Sequence, residues 1–155
     1  MNQYDIEMLQ TITAVSPESV RLYNTATTGG SRAVTGIQKM VQRYVVTLLT
    51  MLGSVRFDTV FGTDVVADLS VGMTRNTAGL SNAFNFASSD ALDILKAEDS
   101  NILYGVTPDD ERVARAILLD FNVDIASGTL YLDVQLNSVA GESYTYKMPV
   151  TITRD

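Results

Sequence analysis

The chain has 155 residues, of which 46% are hydrophobic and 19% charged; that is enough for one domain with a real core and far from a disordered composition. It holds no cysteine and no histidine, which excludes disulfide frameworks, thiol nucleophiles, Ser-His and Cys-His catalytic pairs and nearly all zinc, copper and iron sites, so no cofactor or metal is expected. A net charge of −7 argues against a general nucleic-acid binder, and no apolar run reaches the roughly 18 residues that a membrane span needs.

The opening segment MNQYDIEMLQ has no basic region followed by an apolar stretch, so no signal peptide is read and synthesis in a cytoplasm is expected. Residues 1–34 are weakly patterned and read as an N-terminal arm and connector. Within them, Thr11 to Val15 suggests a short strand. Ser16-Pro17-Glu18 suggests a helix start with Ser16 as cap. The stretch from Asn24 to Ser31, NTATTGGS, has the composition of a flexible connector.

Residues 35–155 read as a single α+β domain. Ile37, Met40, Val41, Tyr44, Val45, Leu48 and Leu49 recur at helical period and predict an amphipathic helix with Thr35 as cap, Gly53 as terminator and a polar face of Gln38, Lys39, Gln42 and Arg43. Phe57 to Phe61 forms an apolar-rich link, and Gly62-Thr63-Asp64 opens a second helix over Val65 to Leu69. Gly72 and Gly79 bracket a looser stretch. A third helix is expected from about Ser81 to Leu95, its apolar face made of Phe84, Ala87, Ala91, Ile94 and Leu95. Gly105 to Asp110 is a turn, with Pro108 blocking further helix.

The period then changes to two. Val113, Ile117, Leu119, Phe121, Val123 and Ile125 alternate with polar or small residues, Leu118 being the apolar exception on the second face. Leu130, Leu132, Val134 and Leu136 make a second alternation, and Tyr144, Tyr146, Met148, Val150 and Ile152 a third, with turns at Ser127-Gly128 and Gly141. Three half-buried strands with short connections predict an antiparallel meander. Two to three helices followed by this meander is the α+β pattern. Pro149 lies on the polar face of the third strand and lacks an N–H, which places that strand at a sheet edge, where another chain can pair with it.

Charge is unevenly placed. Ser19 to Phe57 carries five bases (Arg21, Arg32, Lys39, Arg43, Arg56) and no acid, whereas Asp58 to Glu111 carries ten acids and two bases, Arg75 and Lys96. Such asymmetry fits either a solvated surface or two partner-facing surfaces. Asp109-Asp110-Glu111-Arg112 is the densest cluster and reads first as a solvated turn or local ion pair, and only second as an acid-base pair. Asp58, Asp64 and Asp68 match no calcium loop. Thr28-Gly29-Gly30 lacks the Lys-Ser or Lys-Thr of a phosphate loop.

One ordered set of residues stands out. Thr35 to Leu69 reads as a helix ending in Leu48-Leu49-Thr50, then Gly53, then Phe61-Gly62-Thr63-Asp64 and a second short helix. This layout resembles the phage baseplate wedge family often labelled lysozyme-like, the tail sheath initiators of contractile tails. That family continues with another helix, an acidic-Pro-Arg motif opening a strand, and a terminal meander; here the motif reads Asp110-Glu111-Arg112-Val113, with Glu111 where the family has Pro. The resemblance covers about residues 35–152. It implies a non-enzymatic virion protein of the tail baseplate, made in the host cytoplasm, that contacts other baseplate wedge proteins and initiates the tail sheath. It also implies that Arg112 lies in a wedge contact and that the terminal strand templates the sheath protein. The sites to examine are therefore Glu111, Arg112, Lys39 and Arg43 for the wedge, and Tyr144, Tyr146, Met148, Val150 and Ile152 for the sheath. The rivals are another tail or neck connector or terminator protein, and a small peptidoglycan hydrolase using Asp109, Asp110 or Glu111.

Overall fold

The computed structural model describes residues 5–6, 33–72, 77–101, 106–124 and 126–151. The strand expected at Thr11–Val15, the helix start at Ser16, the connector from Asn24 to Ser31, and Gly105, Ile125 and Ile152 lie outside these residues. The fold is α+β. Strands β1 (Asp5–Ile6) and β2 (Ala33–Val34) pair antiparallel as a two-stranded ribbon. Helices α1 (Gly36–Leu49), α2 (Val65–Gly72) and α3 (Thr77–Asp99) follow. Strands β3 (Val113–Asp124), β4 (Thr129–Ser138) and β5 (Ser143–Thr151) form an antiparallel meander in that spatial order.

The helices cover one face of the meander. Helix α1 packs on α3, β4 and β5, while α3 packs on α2 and β3. Met40, Val41, Tyr44, Val45 and Leu48 of α1 meet Leu80, Phe84, Ala87, Ala91 and Leu95 of α3 and the inward residues of the sheet in one apolar cluster. The helical stripe read from α1 is thus the one that is buried, and each fully buried Leu or Met contributes about 1.5–3 kcal/mol. Between the helices Tyr44 Oη and Ser88 Oγ lie 2.8 Å apart in a buried hydrogen bond, which satisfies two polar groups that would otherwise be costly inside. Burial raises the Tyr44 phenol far above its ordinary value, so it stays neutral.

Several boundaries differ from expectation. Helix α3 begins at Thr77, ahead of the Ser81 that the sequence suggests, and takes in Gly79. Helix α1 ends at Leu49, not at Gly53. The reason is local: Thr50 turns its N–H and its hydroxyl onto the Val46 carbonyl, at 3.0 and 2.6 Å, and leaves the helix in extended conformation. Gly53 serves the turn beyond, at φ +77°.

Strand β4 alternates as read, with Leu130, Leu132, Val134 and Leu136 buried. In β5 Tyr146, Met148 and Val150 are buried and Tyr144 is half-buried. In β3 the expected alternation fails. Its register against β4 slips between Val113 and Arg115 and again between Leu118 and Asp120. The second bulge makes Leu119 the extra residue, and it is exposed. Ala116, Leu118 and Phe121 pack on the core in its place, so Leu118 is the inward residue and Leu119 the outward one, the reverse of the period-two reading.

Candidate functional site: an ion-paired helix start, a closed turn and a free sheet edge

The charged residues expected to face a partner converge where α1 begins. Thr35 makes no side-chain cap bond. The cap comes instead from 75 residues away: Glu111 Oε1 accepts the Gly36 N–H at 3.1 Å. Its Oε2 lies 2.8 Å from Lys39 Nζ, an ion pair whose two side chains are 6% and 9% exposed. Arg43, one turn on, donates to the Glu111 carbonyl at 3.3 Å and pairs with Glu98 at 3.3 Å and Asp99 at 2.8 Å at the end of α3. One carboxylate therefore satisfies an orphan N–H at the positive end of a helix and neutralises a buried ammonium. The pair also ties the turn before β3 to α1, and Arg43 ties in α3.

This placement corrects the sequence reading of α1. Lys39 and Gln42 are buried rather than part of a solvated face, and Glu111 is buried as well. Lys39, Arg43 and Glu111, expected at a wedge contact, are turned onto one another within the chain. Arg112 differs, for it pairs with Asp109 at an exposed position. Sequence reading missed Glu98 and Asp99 because nothing local marks two acids at a helix end as partners for an arginine 55 residues earlier. It missed the cap because Glu111 is remote from Gly36. Among the described residues no cluster of three or more acids could hold a metal ion, and no helix is long and apolar enough to cross a membrane.

The residues that carry the family resemblance build a closed turn. Thr63 N–H donates to the Thr50 carbonyl at 2.8 Å, Leu52 N–H to the Thr63 carbonyl at 3.2 Å, and Thr63 Oγ1 to the buried Leu48 carbonyl at 2.6 Å. Thr63 Oγ1 also accepts the Val65 N–H at 3.2 Å, ahead of α2. Gly62 sits between them at φ +102°, and a Cβ there would collide with the Thr50 carbonyl oxygen, so only glycine lets the two arms of the turn approach this closely. What the closure holds out is apolar: Met51, Leu52, Phe57 and Val60 are exposed, Phe57 by 93%. Arg56 stands over the Phe57 ring at 5.6 Å, and Asp58 is folded back to accept the Val60 N–H at 3.2 Å.

The third feature is the outer edge of β5. This strand pairs with β4 from Ser143 to Thr151 without a break in register, and among the described residues nothing pairs along its other side. Tyr144, Tyr146, Met148 and Val150 form its core-facing side, as read from the sequence. Burial raises the Tyr146 phenol well above its ordinary value, with the Tyr144 side chain adding to the shift. On the outward face Lys147 pairs with Asp133 at 3.5 Å.

The sequence matches no protein-family model and no curated protein.

Proposed function

We propose that the chain is a structural component of a contractile phage-tail baseplate, a wedge protein that contacts other wedge subunits and initiates assembly of the tail sheath. The observation that carries this reading is the unbroken β5 strand, along whose outer side nothing pairs among the described residues, on a domain whose helices support one face of the sheet. Such an edge accepts an added strand, and the join is made of main-chain hydrogen bonds worth about 0.5–1.5 kcal/mol each. The closed turn gives a second line of support, because Thr50, Gly62 and Thr63 have physical reasons to occur together in the layout that resembles this family. It also offers a wedge-facing surface in place of Lys39, Arg43 and Glu111: the exposed apolar group of Met51, Leu52, Phe57 and Val60.

Two of the three acids assigned to the rival hydrolase reading, Asp109, Asp110 and Glu111, are engaged within the chain. Glu111 is committed to Gly36 and Lys39, and Asp109 to Arg112. The reading of another connector or terminator protein shares the free edge and is separated from the first by location in the particle.

The test is deletion and complementation in the parent phage, with antibody labelling of the particle. Deletion should give tail tubes without sheath, restored by the full chain, with label at the baseplate. Fully sheathed tails in the deletion, or label at the neck, overturns the reading. A chain carrying Phe57→Ser and Val60→Ser should stay folded and fail to enter baseplates.

A further inference from the structure

Among the described residues only two aromatic side chains are exposed, and they carry opposite charges beside them. Phe57 is 93% exposed at the tip of the loop between α1 and α2, and Phe86 is 73% exposed on α3. The tip is cationic. Arg56 stands over the Phe57 ring, so ring and guanidinium form one unit. The nearest acid in sequence, Asp58, is turned back onto the Val60 N–H and forms no ion pair with Arg56. The α3 surface is anionic. The buried side of α3 runs through Leu80, Phe84, Ala87, Ala91 and Leu95. Phe86 lies two positions after Phe84, about 200° round the helix, so it points away from the core. Asp90 follows it by one turn and Asp93 by two, both exposed. Asp93 is shared with Lys96 at 3.7 Å. Asp90 has no ion-pair partner among the described residues, and neither has Arg56.

We infer that the Arg56–Phe57 tip of one copy docks on the Phe86–Asp90 surface of α3 in a second copy. The two rings cover one another, and the guanidinium meets the Asp90 carboxylate. The closure at Gly62 and Thr63 already holds the loop, so little order is lost on docking. Two-fold arrangements are opposed by charge, because tip on tip sets Arg56 against Arg56 and helix on helix sets Asp90 against Asp90. The contact is therefore heterologous. Each copy uses its tip toward one neighbour and its α3 toward the other, which builds a ring or an open row. The net charge of −7 on each copy opposes approach, but that field is screened beyond about 8 Å at physiological salt, and the opposite charges decide the close contact. Each ring offers about 150–250 Å², so the interface falls short of the roughly 1,000 Å² of a self-sufficient one. It is weak between two free copies and effective where copies are held side by side. In the proposed function those are copies around one baseplate; that placement rests on the baseplate reading, whereas the contact itself does not.

The chain has no cysteine, so a spin label on Thr59→Cys, beside the tip, is unique. Mixing labelled full-length chain with unlabelled, isotope-enriched full-length chain reports contact between copies alone. At about 0.5 mM of each, near the dissociation constant expected of so small an interface, the amides of Phe86, Ser89 and Asp90 in the enriched chain should lose at least half their NMR signal. Arg56→Glu in the labelled chain should abolish this loss. Asp90→Lys in the enriched chain should then restore it, which a merely structural role of either residue would not do. Both positions are exposed, so the melting transition should be unchanged. No loss of signal along α3, or a loss that Arg56→Glu leaves unchanged, overturns the inference. Loss at residues 51–60 of the enriched chain instead of α3 shows tip-to-tip pairing and overturns the assigned surface. In the parent phage, Arg56→Glu should lower entry into baseplates, and Asp90→Lys in the same chain should restore it. The expected NMR pattern with no effect of either variant in the phage overturns the placement at the baseplate, while the contact between copies stands.

Discussion

Strands β3 and β5 flank the same central strand, yet their outer edges are built in opposite ways. Strand β3 is held at both ends and distorted between. The turn before it is fixed to α1 through Glu111, and at its far end Asp124 accepts the Ala126 and Ser127 N–H groups at 3.0 and 3.4 Å and the Ser127 hydroxyl at 2.7 Å. Two bulges interrupt its register, and α3 packs beside it. Strand β5 has one hairpin, no bulge and a single proline on its free side. Bulges and covering helices keep an edge from pairing with strangers. Strand β5 has no bulge and is blunted only by Lys147 and Pro149, so the contrast makes it the more regular of the two edges among the described residues.

The largest way to break this contrast is at the anchor of β3. Glu111→Ala removes the carboxylate that pairs with the buried Lys39 and caps α1. Loss of one member of a buried pair costs about 3–5 kcal/mol, so urea unfolding should show a loss of that size. A loss below about 1 kcal/mol would mean that water replaces the carboxylate at no penalty and that the start of β3 is not pinned there.

Deleting Leu119 asks whether the bulge is a guard. Without the extra residue, Leu118 and Asp120 follow one another against Val134 and Asp133 in plain register, and β3 gains a straight edge from Arg115 to Asp124. The variant should associate in a concentration-dependent way by sedimentation, with stability changed by less than about 2 kcal/mol, as is usual away from the core. A strictly monomeric variant would show that α3 alone shields this side.

The smallest effect is at the other end of β3. Hydrogen bonds from Ser127 Oγ and from the Ala126 and Ser127 amides hold the Asp124 carboxyl below its ordinary value of 3.8. Its contribution to stability is therefore present above that pH and is lost as pH falls through the lower, folded value. Asp124→Ala should remove this part of the acid limb of the stability curve and leave the curve at neutral slope unchanged. An acid limb identical to that of the parent chain would place the acid sensitivity elsewhere.

Much of this architecture was legible along the chain. The stripe from Ile37 to Leu49, the strict alternation from Leu130 to Leu136 and the run from Tyr144 to Val150 each specify both an element and its buried face, because burial is decided by periods of 3.6 and two that a sequence carries directly. Pro149 announced an edge strand for the same kind of reason, since an absent N–H is a property of the residue itself. What only the tertiary structure decided is of a different kind. Lys39 and Glu111 are 72 positions apart, so nothing local marks a polar residue of α1 as one member of a buried pair or an acid before β3 as the cap of a distant helix. The bulge at Leu119 depends on how β3 fits β4 and α3, and two adjacent leucines leave the choice of inward residue open until that fit is made. That β3 and β5 are the two edges of the sheet is likewise settled by strand order, a property of the assembled fold rather than of any one segment.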